Sequence, residues 1–192
     1  MFPGVSAAEL FAPARISTGR TPTRHSIELV TSGAVLTAAM VEVVTQAREC
    51  IVSVGSRSRE PAYLLEIERA LRREPNLIHY RILIGPPHSQ VLKDHLLRLV
   101  ELDEIPAAGA RRKRLYVSML TDLAADHERF FIVSERTAVI VLPSANSPGN
   151  FDTGLVVRDD TYVQGLILHG KALYGKHRLE NVKAVEDLRV LR

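Results

Sequence analysis

Hydrophobic and polar positions follow two periods along the chain from residue 26 onward. Short runs rich in β-branched residues are continuously apolar or alternate with a period of two, which is typical of strands. The predicted strands cover residues 26–30, 50–54, 77–84, 114–120, 129–134, 137–142 and 153–159. The segments between them carry the 3.6-residue period of helices, which we predict over residues 32–48, 61–74, 89–102 and 161–174.

The arrangement of these elements indicates the fold class. Strands alternate with helices through the first half, and two later strands are separated only by the turn at Glu135 and Arg136, which predicts a hairpin. The helix after Ser32 is apolar on nearly every face, so we expect it to be buried against a sheet. The sequence therefore predicts an α/β fold, a mixed β-sheet flanked by helices on both faces.

The periodic region defines the expected domain, and the two ends of the chain differ from it. Residues 1–25 mix Pro, Gly, Ser, Thr and Ala without a sustained period, which indicates a linker or arm. Residues 26–178 form the predicted domain. Residues 179–192 have apolar side chains at every third position, which predicts a helical tail that packs on the domain or on a second copy.

Composition narrows the class of protein. Of the 192 residues, 46% are hydrophobic and 24% are charged, as in soluble globular domains. The longest apolar stretch is interrupted by Glu42, too early to span a bilayer, and the amino terminus has no pattern of a secretory signal. We expect a cytoplasmic protein without a membrane segment. The single cysteine, Cys50, can form neither an internal disulfide nor a cysteine-based zinc site, and we expect it to be buried.

Charge leaves several interpretations open. The net charge is +3 and the sequence pI is about 9.2, and basic residues cluster at residues 111–114 and 175–178. Such clusters are either solvated surface or a nucleic-acid contact. The loop at residues 55–59, Gly-Ser-Arg-Ser-Arg, either cradles an anion or is a plain polar turn. His88 and His95 have no third ligand at a suitable spacing, and nucleotide-binding glycine motifs are absent from the sequence, so we expect neither a metal nor a cofactor.

Residues 127–152 carry the candidate chemistry. They contain His127-Glu128-Arg129, then Ser134, then Pro143-Ser144-Ala145-Asn146, and finally Asn150-Phe151-Asp152 before the last strand. An imidazole together with a carboxylate, a cation, a hydroxyl and an amide is a set that can handle a phosphate group. The polar turn residues also have a plain interpretation, because Ser, Asn, Pro and Gly are common wherever the backbone bends.

These motifs and the order of elements from about Ser26 to Gly175 resemble one half of the phospholipase D-like superfamily. That family is defined by His-x-Lys-x(4)-Asp, followed by Gly-Ser-x-Asn and an acidic residue before a strand. His127, Ser144 and Asn146 match, and Asp152 supplies the late acid. The lysine is replaced by Arg129, the aspartate by Ser134 and the glycine by Pro143.

The resemblance implies a role for each of the matching positions. In the family a histidine attacks a phosphodiester and a second histidine from the other half-site protonates the leaving group. By that likeness, His127 and Asp152 are the candidate catalytic residues, with Asp152 orienting the imidazole, and Arg129, Ser144 and Asn146 are candidate ligand or phosphate-binding residues. Arginine binds phosphate differently from lysine, and Ser134 has no negative charge, so we expect binding to outlast turnover.

The resemblance also implies an assembly and a function. Family members with one motif build the site across a two-fold axis, which implies a homodimer. Effector domains of sugar-sensing transcriptional regulators use a catalytically inactive form of the fold beside a DNA-binding domain, and the arm at residues 1–25 suits that arrangement. We therefore expect a non-catalytic domain that senses a small anionic or polyol ligand, with DNA contacted through a separate domain. The alternatives are a phosphodiesterase acting through a phosphohistidine at the dimer interface, and nucleic-acid binding through the basic loop and tail.

Overall fold

A computed structural model describes residues 26–104, 113–120, 130–144 and 151–176. Within these ranges seven strands and four helices form one layered structure. The strands are β1 (Ile27–Val30), β2 (Cys50–Val54), β3 (Ile78–Ile84), β4 (Leu115–Leu120), β5 (Phe130–Val133), β6 (Ala138–Leu142) and β7 (Thr153–Val157). The helices are α1 (Gly33–Gln46), α2 (Pro61–Arg73), α3 (Gln90–Glu104) and α4 (Asp160–Lys176). All the predicted strands and helices in the described ranges are confirmed.

The strands form a single sheet in the order β1-β7-β6-β5-β2-β3-β4. The pairs β2–β3 and β3–β4 are parallel, and the other four pairs are antiparallel. The predicted hairpin is the antiparallel pair β5–β6, joined by the turn at Glu135 and Arg136. All five residues of β2 are buried, which explains why this strand is a continuous apolar run with only Ser53 polar.

Helices cover both faces of the sheet, which confirms the predicted fold class. On one face α1, α2 and α3 pack over a core of Val, Leu and Ile side chains from the strands. On the other face α4 packs mainly over β2 and β3, through residues that include Val163 and Ile167. Gly170 lets α4 approach the sheet closely, because a Cβ atom at this position would lie 2.3 Å from a methyl carbon of Val52.

Helix α1 packs against the sheet, as its apolar sequence predicts. Leu36, Met40, Val43 and Val44 face the core, while Val35 on the outer side is 52% exposed. The physical reason is that a helix on the outer layer has only one side against the sheet. Much of the apolar character of its outer side comes from alanine, which exposes little area.

A carboxylate from the β5–β6 turn fixes the start of β2. Glu135 accepts hydrogen bonds from the backbone N–H groups of Arg48, at 3.2 Å, of Glu49, and of Cys50, at 2.6 Å. Three consecutive backbone donors are thereby satisfied by one side chain of the same chain. Cys50 itself is buried, as expected, and burial raises the pKa of its thiol to about 11, which keeps it protonated and unreactive.

The two ends of the chain lie outside the described residues, and so do the predicted arm at residues 1–25 and the predicted tail at residues 179–192. Among the helices that the structure describes, none combines the length and the apolar character needed to cross a bilayer.

Candidate ligand-binding site

A cavity of about 690 Å³ lies at the carboxyl end of β2, where the amino-terminal ends of α1 and α2 meet the sheet. Its walls come from three parts of the chain that the sheet order brings together. They are Gly33, Ala34, Leu36, Thr37 and Met40 of α1, Arg57, Ser58, Arg59, Glu60 and Tyr63 of the β2–α2 segment, and Phe130, Val141, Phe151 and Asp152. The volume is in the range of sites that hold small molecules.

The loop after β2 is held in place by hydrogen bonds to the loop after β3. The Ser56 hydroxyl donates to the Gly85 carbonyl at 3.1 Å and accepts from the Ile84 N–H at 2.8 Å. The Ser89 hydroxyl donates to the carbonyl of Ser58 at 3.0 Å. Gly55 begins the loop with φ +121°, a conformation that disfavours residues with a side chain. Arg57 and Arg59 therefore line the cavity from a loop that hydrogen bonds hold in place at both ends.

Both signs of charge line the cavity. Arg57 and Arg59 contribute guanidinium groups, and Arg57 also lies over the ring of Phe151, 5.9 Å from its centroid. Glu60 and Asp152 contribute carboxylates. The amino ends of two helices add partial positive charge at the same place. The cavity can therefore bind an anionic group through its arginines and accept hydrogen bonds from hydroxyl groups through its carboxylates.

The remaining wall is apolar. Leu36 and Met40 come from the buried side of α1, and Phe130 and Val141 come from the strands behind it. These side chains belong to the same core that packs the three helices against the sheet. A ligand in the cavity would therefore contact a fixed hydrophobic surface on one side and charged groups on the other.

A buried polar network begins at Tyr63, which lines the cavity. Its hydroxyl lies 3.2 Å from the Ser53 hydroxyl, which in turn lies 3.2 Å from Nε2 of His79. Arg81, also fully buried, donates from Nη2 to the Gly55 carbonyl at 2.9 Å. Burial raises the pKa of Tyr63 and lowers that of His79, and Arg81 opposes the shift of Tyr63 but adds to the shift of His79. Tyr63 and His79 are therefore both neutral near pH 7.

A second group of buried polar side chains joins α2 to α3. The buried carboxylate of Glu68 lies 2.8 Å from Nδ1 of His95 and 3.0 Å from Nε of Arg98. Burial, together with the positive charges of Arg81 and Arg98, lowers the pKa of His95 to about 3. The imidazole is thus neutral, and because a carboxylate only accepts, its proton sits on Nδ1 and is donated to Glu68. The contact is a hydrogen bond to a charged acceptor, with Arg98 as the ion-pair partner of the carboxylate.

The residues predicted from the motif divide into three groups. Asp152 lines the cavity, in close approach to the start of α1, where a Cβ on Gly33 would lie 3.6 Å from its own Cβ. Ser144 follows β6 by two residues and is half-buried, but it is not among the lining residues. His127, Arg129 and Asn146 lie outside the described residues.

Ser134, the position of the motif aspartate, lies away from the cavity. Phe130 at the start of β5 lines the cavity, whereas Ser134 follows the last residue of the strand, about 13 Å further along. It is buried, and its N–H donates to the carbonyl of Thr137 in the hairpin turn. The missing carboxylate at this position therefore does not change the charge of the cavity wall directly.

Several cavity residues were not predicted from the motif. Arg57 and Arg59 belong to the loop at residues 55–59, for which anion binding was one of two interpretations, and the structure places this loop beside Asp152. Tyr63 could not be recognised as a cavity residue from the sequence, because an aromatic residue in an amphipathic helix normally belongs to the core. In the described part of the chain no three His, Cys, Asp or Glu side chains cluster as a metal site would require.

Comparison with known proteins gives structural relatives. No protein-family model and no curated protein sequence matches the chain. Nuc from Salmonella typhimurium, a phospholipase D family member, superposes with a TM-score of 0.58 and 11% identity over 80% of this chain and 96% of its own. NucT from Helicobacter pylori superposes with a TM-score of 0.57 and 12% identity over 80% and 98%. The fold is phospholipase D-like.

A third relative of this phospholipase D-like fold is TrmBL2, an archaeal chromatin protein whose structure shows a mode of DNA binding. It superposes with a TM-score of 0.55 and 12% identity over 80% of this chain. The match spans 54% of TrmBL2, so the chain corresponds to about half of that protein. Identities of 11–12% support a common fold and no more. The predicted phospholipase D-like fold is confirmed at that level.

Proposed function

We propose that this phospholipase D-like domain binds a small anionic or polyol ligand in the cavity at the carboxyl end of β2. The observation that carries the proposal is the convergence of Arg57, Arg59 and Tyr63 on a cavity of about 690 Å³ whose opposite wall is apolar. A guanidinium group forms two parallel hydrogen bonds to a carboxylate or phosphate, which suits it to such a ligand. Because the loop is pinned by Ser56 and Ser89, little ordering is required when a ligand binds.

The motif residues have roles in the same proposal. Asp152, in the cavity wall, is the acceptor for a ligand hydroxyl or for the imidazole of His127. Arg129 and Asn146 supplement Arg57 and Arg59 from the segments next to β5 and β6. The replacement of the family lysine by Arg129 favours binding without efficient turnover, since a planar guanidinium does not reproduce the compact charge of an ammonium group.

A phosphodiesterase is the second candidate function. It is supported by Asp152, a carboxylate in the cavity wall and the counterpart of the family acid, and by Ser134, whose distance from the cavity removes one argument against catalysis. In this alternative His127 forms a covalent bond to phosphorus while the partner subunit's His127 protonates the leaving oxygen. Hydrolysis of a chromogenic bis-phosphodiester that disappears in His127→Ala would favour the enzyme, and no turnover in either protein would favour the binding domain.

We further propose that the domain works as a homodimer in a transcriptional regulator. Ala34, Val35 and Ala38 form an exposed apolar strip on the first turns of α1, and Ala34 also lines the cavity. A partner on this strip would lie beside the ligand site. DNA would be contacted by a separate domain, connected through the arm at residues 1–25, with residues 179–192 as a helical tail. Light scattering should give a dimer for the native chain and a monomer for Val35→Glu.

Isothermal titration tests the ligand site directly. The probes are a sugar phosphate, a sugar acid, the corresponding neutral sugar and inorganic phosphate. We expect binding of at least one probe, weakened about tenfold or more by Arg59→Gln because a charge-assisted hydrogen bond is lost. Arg69→Gln is the matched control, because Arg69 is also exposed and loses the same charge on the outer side of α2. Equal binding by the two variants would contradict the proposed site.

A further inference from the structure

A cluster of three tyrosines lies at the other end of the parallel strands, on the face that α4 covers. Tyr80 of β3 and Tyr116 of β4 are direct neighbours in the sheet, and their rings stack with centroids 5.0 Å apart and planes inclined by 15°. Tyr174, near the end of α4, meets both rings edge-on, at 5.7 Å and 5.4 Å. Tyr80 and Tyr116 are half-buried, and Tyr174 is 9% exposed, so Tyr174 supports the stacked pair from beneath.

Lysine side chains meet the outer faces of the stacked pair. The ammonium group of Lys171 lies 5.5 Å from the centroid of the Tyr80 ring, and that of Lys113 lies 5.3 Å from the centroid of the Tyr116 ring. Since the inner face of each ring is taken by the other ring, the lysines lie over the outer faces. These faces are therefore covered by long side chains that can move aside, and each lysine remains within reach of an anion bound there.

The tyrosine cluster includes residues that adjoin the two basic segments of the sequence. Lys113 belongs to the basic cluster at residues 111–114, and Tyr174 directly precedes the cluster at residues 175–178. Lys113 and Tyr174 are about sixty residues apart in the chain, and the contact between Tyr116 and Tyr174 brings these two parts of the chain together.

A hollow of about 590 Å³ lies beside Tyr80. Lys171 and Arg48 line it together with Glu49, Glu74 and the polar side chain of Asn76. Glu74 is paired with Arg48 at 3.1 Å. The hollow thus offers a flat aromatic wall, a cation above it, and carboxylate and amide groups that can accept from or donate to the edge of a nucleobase.

We infer that Tyr80, Tyr116, Lys113 and Lys171 form a binding site for single-stranded nucleic acid, distinct from the cavity at the carboxyl end of β2. Bases stack on the outer ring faces while the displaced ammonium groups contact phosphates, which is how sequence-tolerant single-strand binding is achieved elsewhere. Duplex nucleic acid is disfavoured because its bases are already stacked on each other and their faces are inaccessible. The site does not depend on the ligand proposed for the cavity.

Fluorescence anisotropy with the full chain tests this site. The probes are a labelled dT12 and rU12, an abasic 12-mer with the same phosphates, and a 12-base-pair duplex. We expect dT12 or rU12 to bind at least roughly fivefold more tightly than the abasic strand, since each stacked base contributes substantially. Equal affinity for the abasic strand and dT12, or no binding of either single strand at low salt, would overturn the inference.

Variants separate stacking from charge. Tyr116→Leu keeps an apolar side chain on the edge strand and should weaken dT12 binding roughly five- to a hundredfold while leaving the abasic strand unaffected. Lys113→Gln with Lys171→Gln should reduce the slope of log affinity against log salt by roughly 1.4, about 0.7 for each phosphate contact. Arg69→Gln, which removes one charge on the opposite face of the sheet, should change neither quantity. An unchanged slope of log affinity against log salt in the double lysine variant would also overturn the inference. This second test remains valid if Tyr116→Leu does not fold.

Discussion

At the amino end of β2, three consecutive backbone N–H groups are held by the carboxylate of Glu135 from the neighbouring hairpin. At the carboxyl end of the same strand, Arg57 and Arg59 belong to the loop that follows β2. Both residues line the cavity. Both ends present hydrogen-bond donors. At the first end a carboxylate of the protein itself accepts from these donors and stabilises the fold, whereas at the second end the guanidinium groups line, with the carboxylates of Glu60 and Asp152, a volume that a small molecule fits.

The two ends also differ in what lies beneath them. Behind the cavity, Tyr63, Ser53, His79 and Arg81 form a buried polar network against α2, although the sheet around them is aliphatic. Polar groups are costly to bury unless they are hydrogen-bonded, so a network of this kind fixes the orientation of the groups that belong to it. The cavity wall at Tyr63 is therefore held more rigidly than a wall of aliphatic side chains would be. The comparison can be tested at both ends.

The largest effect is expected at Gly55, the residue that starts the cavity loop. Gly55→Ala places a Cβ 2.5 Å from a ring carbon of Phe130 at φ +121°, which combines backbone strain with a clash. We expect a loss of about 3 kcal/mol in the free energy of unfolding. Gly85→Ala is the control, because its φ of +70° is also unfavourable but no atom lies within 4 Å, and it should cost about 1 kcal/mol. Chemical denaturation of both variants measures the two losses in the free energy of unfolding. Equal losses would mean that the Phe130 ring moves aside without cost.

The buried histidines predict a dependence of stability on pH. Burial lowers the pKa of His95 to about 3 in the folded protein, well below the unfolded value of about 6.5, so the unfolded chain binds more protons between these values. Stability contributed by neutral His95 is therefore complete above pH 6.5 and is lost as the pH falls towards 3. The expected slope is about 1.4 kcal/mol per pH unit for each proton, and His79 adds to it in the same direction.

Matched histidine variants separate the contributions to this slope. His95→Gln removes one titrating group and should flatten the dependence of the unfolding free energy between pH 6.5 and 4. His169→Gln changes an exposed histidine on α4 and should leave the dependence as in the native chain. Urea denaturation at a series of pH values measures the slope. An unchanged slope in His95→Gln would show that His95 does not titrate with the unfolding transition.

The smallest of the three effects is expected at the amino end of β2. Glu135→Gln keeps the size of the side chain but removes the charge from its hydrogen bonds to the N–H groups of Arg48, Glu49 and Cys50. We expect a loss of about 1–2 kcal/mol in the free energy of unfolding. Glu49→Gln removes a charge from an exposed side chain beside it and should change stability by less than about 0.5 kcal/mol. Thermal melts of the two variants measure this difference in stability. Similar losses of stability in the two variants would show that Glu135 has no special role at the strand end.

The fold could be predicted from the sequence because its strands and helices carry strong local patterns. The run CIVSV identifies β2, and Pro61 marks the start of α2. The packing of α1 against the sheet was also predicted, although an apolar segment does not reveal which of its sides has a neighbour. The Glu68–His95 contact joins residues 27 positions apart on different helices and follows from the packing of α2 on α3, which no local period encodes.

The candidate site was predictable only in part, for a related reason. Asp152 was identified from its place in a motif, and the structure puts it in the cavity wall. Arg57 is almost a hundred residues earlier in the chain, and the two meet because the sheet order places β7, β6, β5 and β2 side by side. The tyrosine cluster likewise depends on the parallel register of Tyr80 with Tyr116, which was not predicted. Motifs locate residues that are close in sequence, whereas both proposed sites are assembled across the sheet.

The pairing of β1 with β7 has a consequence for how the chain acquires its structure. The two strands come from opposite ends of the described chain, and Glu28 and Arg158 form an ion pair across 130 positions. Closing so long a loop is entropically slow, so this edge of the sheet should be among the last parts to form. During synthesis β1 emerges before the other strands, and almost the whole domain must be made before β7 is available to pair with it. Until β7 arrives, the hydrophobic edge that includes Val30 remains open to association with other chains.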